Sequence, residues 1–274
     1  MKNLFLSEWK RLWSRKTTML CLLAIPIIVL ASAKYYLSVN NRVMITDPKF
    51  TSFYNFPVAA LQEQLLIAFN SILLLFVVLS VTDEFTNGTI RMVLIRPIKI
   101  VNVFWAKFLV ILSTMFILLL GYLCISYIVG YLLFPKVSKI AVFYWDKTLI
   151  PKEMFLYTLK YYSLAFLTIV AMAALMFFIA IVSKSITISL GTTVGLLLVL
   201  ASYPMVIQIF FRGDYTRLIL VKLLSLIEMQ FAGIAIMLGQ RSFLFSCNLL
   251  IIASYIVIFT LFNYFIYKKR DNLM

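Results

Sequence analysis

The sequence predicts an all-α membrane protein: six transmembrane helices in a single domain, residues 1–274. Two observations predict it. Hydrophobic residues make up 64% of the chain and charged residues only 13%, against roughly 45–50% and about 25% in soluble domains. The apolar residues also gather into runs long enough to cross a bilayer, which takes about 20 residues. Disorder needs low hydrophobicity and is excluded. With only 8 Gly and 7 Pro, a collagen-like or linker-like chain is excluded too.

The runs are Thr18 to Leu37, Leu61 to Val81, Val103 to Phe134, Tyr161 to Val182, Ile186 to Phe210 and Phe243 to Tyr267. The first is too long for a cleavable signal peptide, and no small-residue cleavage site follows it. The third is long enough to tilt or to project beyond the bilayer. Only Ser183, Lys184 and Ser185 separate the fourth from the fifth, so these two form a tight helical hairpin. The 25 Lys and Arg divide almost evenly between the two sides of the membrane. They are densest in the segments that lie inside when the amino terminus is inside, and basic density near span ends sets orientation. Both termini are therefore expected in the cytoplasm. The net charge of +15 is assigned to lipid headgroups and topology, not to nucleic acid.

The first 16 residues read as an amphipathic helix. Phe5, Trp9, Leu12 and Trp13 fall on one face, with Lys2, Lys10, Arg15 and Lys16 mostly off it. Such a helix lies in the membrane interface, where indole rings favour the headgroup level.

Residues 83–107, DEFTNGTIRMVLIRPIKIVNVFWAK, carry the most information. Asp83 and Glu84 close the second span, and Gly88 and Thr89 break the chain. Ile90, Val93, Leu94 and Ile98 then line one side of a short helix, with Arg91 and Arg96 more polar. Pro97 ends it by removing an amide donor and restricting the residue before it.

This stretch resembles the type-2 ABC transporter permeases, the transmembrane subunits of bacterial ABC exporters. The pattern is an acidic residue, Gly-Thr, seven residues, Pro-Ile and then a Lys entering the next span. Glu84, Gly88, Thr89, Pro97, Ile98 and Lys107 match it at that spacing. Arg96 stands where a small polar residue is common. The resemblance extends over the whole chain, through the interfacial helix and the six spans. It also covers residues 211–242, which are similar to the family's re-entrant outer hairpin between the last two spans.

The resemblance implies that residues 84–98 form a cytoplasmic coupling helix docked in a groove of a separate ATPase, with Arg91 and Arg96 facing acidic groups there. It also implies two ATPase subunits and a second permease chain, identical or homologous. No phosphate-binding Gly-x-x-x-x-Gly-Lys loop occurs in this chain, so ATP and Mg are expected on the partner. The chain itself is expected to hold no cofactor or metal and to be no enzyme. The cargo class it points to is a peptide, an antibiotic or another amphipathic molecule.

Two other readings compete. An intramembrane enzyme lacks the means: there is no His and no pair of carboxylates within the spans. Only Ser183, Lys184 and Ser185 offer Ser–Lys chemistry, in a turn that is basic for topological reasons. A non-transporting immunity or sensor subunit would share the fold and stays open. Glu63 and Glu228 are the ionisable groups nearest membrane depth and are candidates for a cargo or gate role. The loop 135–160 mixes Lys with Phe143, Tyr144, Trp145 and Tyr157. That mixture reads as lipid anchoring, with substrate capture as the alternative. Cys21, Cys124 and Cys247 lie far apart in apolar runs and read as small buried side chains.

Overall fold

A computed structural model describes residues 2–82, 100–145, 147–210, 215–239 and 242–271. Most of the described chain is helical. Helix α1, Lys2–Trp13, is followed by α2, Lys16–Asn40, and α3, Phe56–Thr82. Then come α4, Ile100–Leu133, α5, Pro151–Val182, and α6, Ile186–Phe210. Two shorter segments, α7 (Tyr215–Lys222) and α8 (Leu226–Met237), precede α9, Ser242–Asp271. Six of these, α2 to α6 and α9, are long and apolar enough to cross a membrane. The chain is an all-α, multi-pass membrane protein.

The apolar runs mark the hydrocarbon-length part of each helix, and several helices outgrow it. Helix α5 begins at Pro151, well before the apolar run at Tyr161. Pro at the first helical position costs no hydrogen bond, because that amide would have no partner anyway. Glu153 then closes the end by accepting the Ile150 amide at 3.1 Å. Lys152 and Lys160 interrupt the apolar pattern without interrupting the helix. Helix α3 likewise starts at Phe56, with Pro57 in its first turn. The tight turn at 183–185 is as expected: α5 ends at Val182 and α6 starts at Ile186, with the Ser185 hydroxyl accepting the Ile188 amide at 3.2 Å.

Helices α3 and α5 form the centre. In each, 67% of the most apolar stretch is buried within the chain, against 11% in α6 and α9. Helix α4 packs beside them, α2 lies against α4, and α9 runs along α5. Lateral faces such as Leu198, Met205 and Ile209 of α6 remain exposed, as expected of side chains that meet lipid.

Helix α3 is not a uniform α-helix. It widens into π-helical turns at Leu65–Phe69 and Val78–Thr82, and α8 does so at Met229–Gly233. A widened turn disturbs the backbone ladder, and in hydrocarbon every backbone group needs a partner. Asn70 supplies one: its amide donates to the Leu66 carbonyl at 3.2 Å.

The segment expected to form the outer hairpin is a sharp bend. Helix α8 turns away from the preceding segment by 107°, with Ser225 capping the new helix and its hydroxyl donating to the Leu200 carbonyl of α6 at 2.6 Å. The connection between α4 and α5 closes on itself through Ile140 and Leu149, which exchange backbone hydrogen bonds at 3.0 and 2.8 Å. It then docks on the end of α8, where the Trp145 indole donates to the Leu238 carbonyl at 2.9 Å. Gly239 permits this approach: a Cβ there would lie 2.9 Å from the Cβ of Tyr144, itself held at φ 64°.

Replacing Gly239 by Val is therefore expected to lower stability in detergent by about 1–3 kcal/mol and to speed proteolysis of the 135–150 connection. Gly121→Ala is the control, since a Cβ there meets nothing within 4 Å. It should leave both measurements unchanged.

Candidate functional site

The residues of interest gather where α3 ends and α4 begins. Lys107 stands seven residues into α4 and is 1% exposed. An ammonium group so buried needs a counter-charge and hydrogen-bond acceptors. Its Nζ donates to the Glu8 carboxylate at 3.1 Å and to the Ser80 carbonyl at 3.0 Å. Glu8 belongs to α1, and Arg11 of the same helix also binds its carboxylate. One carboxylate thus holds two cations, and one ammonium joins α1, α3 and α4.

This contact changes the reading of α1. Its apolar face does not lie wholly in lipid. Leu12 is buried, and Phe5, Trp9 and Trp13 are half-buried, stacked in a row with ring centroids 5.9 and 5.3 Å apart and packed against the core. Helix α1 is docked on α4. The Thr18 hydroxyl fixes the corner into α2 by donating to the Leu12 carbonyl at 2.6 Å.

On the other side of residues 83–99, Thr82 ends α3. Its hydroxyl donates to the Ala180 carbonyl and contacts the Ser189 hydroxyl, both at 3.1 Å. These belong to the end of α5 and the start of α6. The segment 83–99 therefore leaves α3 at a point tied to the α5–α6 hairpin, and the chain then enters α4 near a point tied to α1. The expected coupling residues Glu84, Gly88, Thr89, Arg91, Leu94, Arg96 and Pro97 all lie outside the described residues.

A second set of polar groups lines α3 further along. Gln62, Glu63 and Gln64 follow one another, so they fan around the helix. The Gln62 amide donates to the Phe231 carbonyl of α8 at 2.8 Å. The Gln64 amide donates to the Ser32 hydroxyl of α2 at 3.2 Å. Glu63 lies half-buried beside the Tyr36 hydroxyl, which donates to the Ala59 carbonyl at 2.9 Å. Below them, Asn70 of α3 and Gln230 of α8 exchange amide hydrogen bonds at 2.7 and 3.3 Å, both fully buried. This pair joins two helices next to their π-helical turns.

The structure does not bring Glu63 and Glu228 together. Glu63 faces α2, whereas Glu228 sits half-buried in α8 with Lys222 as its charged neighbour. Sequence reasoning missed Glu8, Asn70, Ser80 and Gln230. Two of these had a signal. Glu8 is the one acidic residue before Asp47, set in a basic helix. Asn70 is an amide deep inside a strongly apolar run, and such residues turn toward the bundle interior. Among the described residues, no group of three or more His, Cys, Asp or Glu side chains could hold a metal ion.

Fold and site together define a multi-pass, all-α membrane protein whose polar contacts fasten helices to one another. The profile of a family described as protein of unknown function (DUF2705) matches residues 12–273, and the chain belongs to that family. It is also similar to the uncharacterized membrane protein YdbK of Bacillus subtilis (strain 168), with 27% identity over 128 residues. The aligned stretch covers 45% of this chain and 48% of YdbK, so the chain spans about half of that relative's length.

Substituting Lys107→Met should destabilise the protein by about 3 kcal/mol, because a buried carboxylate loses one of its two cations. Adding Glu8→Gln should restore part of that loss. A double-mutant cycle in mixed-micelle denaturation reads the coupling, expected at about 0.5–3 kcal/mol. For the amide pair, Asn70→Leu or Gln230→Leu alone should each cost about 1 kcal/mol. The double variant should cost less than the two together, since no buried amide is then left without its partner.

Proposed function

We propose that this chain is the membrane-spanning permease subunit of an ABC exporter. A separate ATPase supplies the energy, and the cargo is a peptide, an antibiotic or another amphipathic molecule. The sequence pattern from Glu84 to Lys107 motivates the reading. The observation that carries it is the pair of anchors around that pattern. Thr82 binds the α5–α6 hairpin at 3.1 Å, and Lys107 binds Glu8 of α1 at 3.1 Å.

A coupling element works only if force applied to it reaches the spans. A push on residues 84–98 would pass through Thr82 into α3, α5 and α6, and through Lys107 into α4 and α1. Two ATPase subunits closing on ATP would deliver that push. They would act on this chain and on a second permease chain, identical or homologous. Arg91 and Arg96 suit the acidic rim of a docking groove, where charged contacts guide association. In this arrangement both termini and the coupling segment face the cytoplasm.

The test is co-purification from native membranes with a tag on the full chain. An ABC ATPase should accompany the wild type. Arg91→Glu combined with Arg96→Glu should weaken that association at least tenfold while the chain still inserts. Pro97→Ala should lower cargo-stimulated ATP hydrolysis in the reconstituted complex. A well-inserted wild type that brings down no ATPase would overturn the permease reading and favour a non-transporting immunity or sensor subunit.

A further inference from the structure

The 135–160 region builds a groove that the coupling machinery does not use. Two cavities adjoin along the outer face of α5. One, of about 320 Å³, is lined by Trp145, Lys147, Glu153, Tyr157 and Lys160. The other, of about 480 Å³, is lined by Leu159, Ser163, Leu164, Met237 and Phe245. Lys160 and Leu238 belong to both, so the two form one continuous groove between α5 and the end of the outer hairpin.

The chemistry changes along its length. One end carries two ammonium groups and two aromatic rings. Glu153 lines that end as well, but one of its oxygens is taken by the Ile150 amide, so among the described lining residues two lysines face one carboxylate. The other end is apolar apart from the Ser163 hydroxyl, which donates to the Leu159 carbonyl of its own helix at 2.9 Å.

Depth in the bilayer places the change of chemistry. Counting back ~30 Å of hydrocarbon from Val182, at ~1.5 Å per residue, reaches about residue 163. Lys160 therefore stands at headgroup level, and Leu164 is the first groove residue inside the hydrocarbon. Phe245 opens the apolar part of α9 at the matching depth, since that span begins at Leu244. Trp145 and Tyr157 lie on the headgroup side, where amphipathic rings are favoured.

We propose that this groove binds one anionic phospholipid of the surrounding leaflet. Its phosphate sits between Lys147 and Lys160, and one acyl chain runs along Leu164, Met237 and Phe245. The sign of the charge selects the headgroup, and the step from cationic to apolar lining at the interface selects a lipid over a free anion. The bound lipid bridges α5 to the loop and to the hairpin end, so it would steady the outer hairpin. The site is independent of ATPase coupling and stands whether or not the chain is a permease.

Native mass spectrometry of the full-length protein tests this, with phosphatidylglycerol and phosphatidylcholine of identical acyl chains as probes. The wild type should retain phosphatidylglycerol on the order of tenfold more tightly, as two lysines near a headgroup allow. Lys147→Gln combined with Lys160→Gln should bring the two lipids close to parity. Leu164→Trp, which fills the apolar end, should weaken both lipids at this site without removing a charge. Equal retention of the two lipids by the wild type overturns the proposal. So does an unchanged preference in the double lysine variant, or unchanged retention of both lipids in Leu164→Trp. An equal loss in Lys136→Gln/Lys139→Gln, on the same connection but outside the groove, would assign the preference to diffuse charge and overturn it as well.

Discussion

The ammonium group of Lys107 has no water to turn to. At 1% exposure, it sets the terms for everything around it. It needs an anion, and Glu8 supplies one from α1; it needs a further acceptor, and Ser80 supplies a carbonyl from α3. With Leu12 and the Phe5–Trp9–Trp13 row packed beside it, this group makes the amphipathic helix part of the core. A surface ion pair would contribute little. Buried, the same pair is costly to break because each charge is stranded without the other. The value of the contact lies less in net stability than in fixing which three helices meet.

The same logic governs the rest of the interior. Lipid tails are as apolar as the spans, so the hydrophobic effect does little to choose partners among helices. Polar groups choose them instead. The Asn70–Gln230 amide pair attaches the outer hairpin to α3, and Thr82 attaches the end of α3 to the α5–α6 turn. Asn263 of α9 donates to the Ala174 carbonyl of α5 at 2.9 Å, and Tyr162 donates to the Pro57 carbonyl across α5 and α3 at 3.0 Å. Each such bond selects one register for two helices that could otherwise slide. The π-helical turns at Leu65–Phe69 and Met229–Gly233 adjoin the amide pair, so irregular backbone there is also specifically tied.

Much of this architecture was legible in the sequence. Runs of apolar residues mark membrane spans directly, because hydrocarbon thickness sets a length and water sets a composition. The Ser183–Ser185 turn was equally plain, since three residues leave room for nothing else. Helix ends were less so. The start of α5 depends on Pro151 and Glu153, and a hydropathy run that begins at Tyr161 carries no trace of either. The amphipathic face of α1 was visible, but its destination was not. Phe5, Trp9 and Trp13 suit lipid and protein alike, and Glu8 becomes informative only when Lys107 is found opposite. Asn70 and Gln230 lie 160 residues apart, and nothing local to either points to the other. The residues from Glu84 to Pro97 gave a short amphipathic helix and its Pro stop, and only the coupling role came by resemblance.

The helices joined at the 183–185 turn differ in length. Helix α5 has 32 residues and α6 has 25, or ~48 and ~38 Å at 1.5 Å per residue. Joined at one end, they are offset by ~10 Å at the other. Helix α4, with 34 residues, rises alongside α5 to the same level. The molecule therefore carries a built-in ruler. Its short helices fit a typical bilayer, while the long pair holds the 135–150 connection clear of the hydrocarbon. A thicker bilayer covers more of the long pair with hydrocarbon, and a thinner one covers less. Membrane thickness therefore decides how much of the long pair stands beyond the hydrocarbon, far from the end where Lys107 is locked.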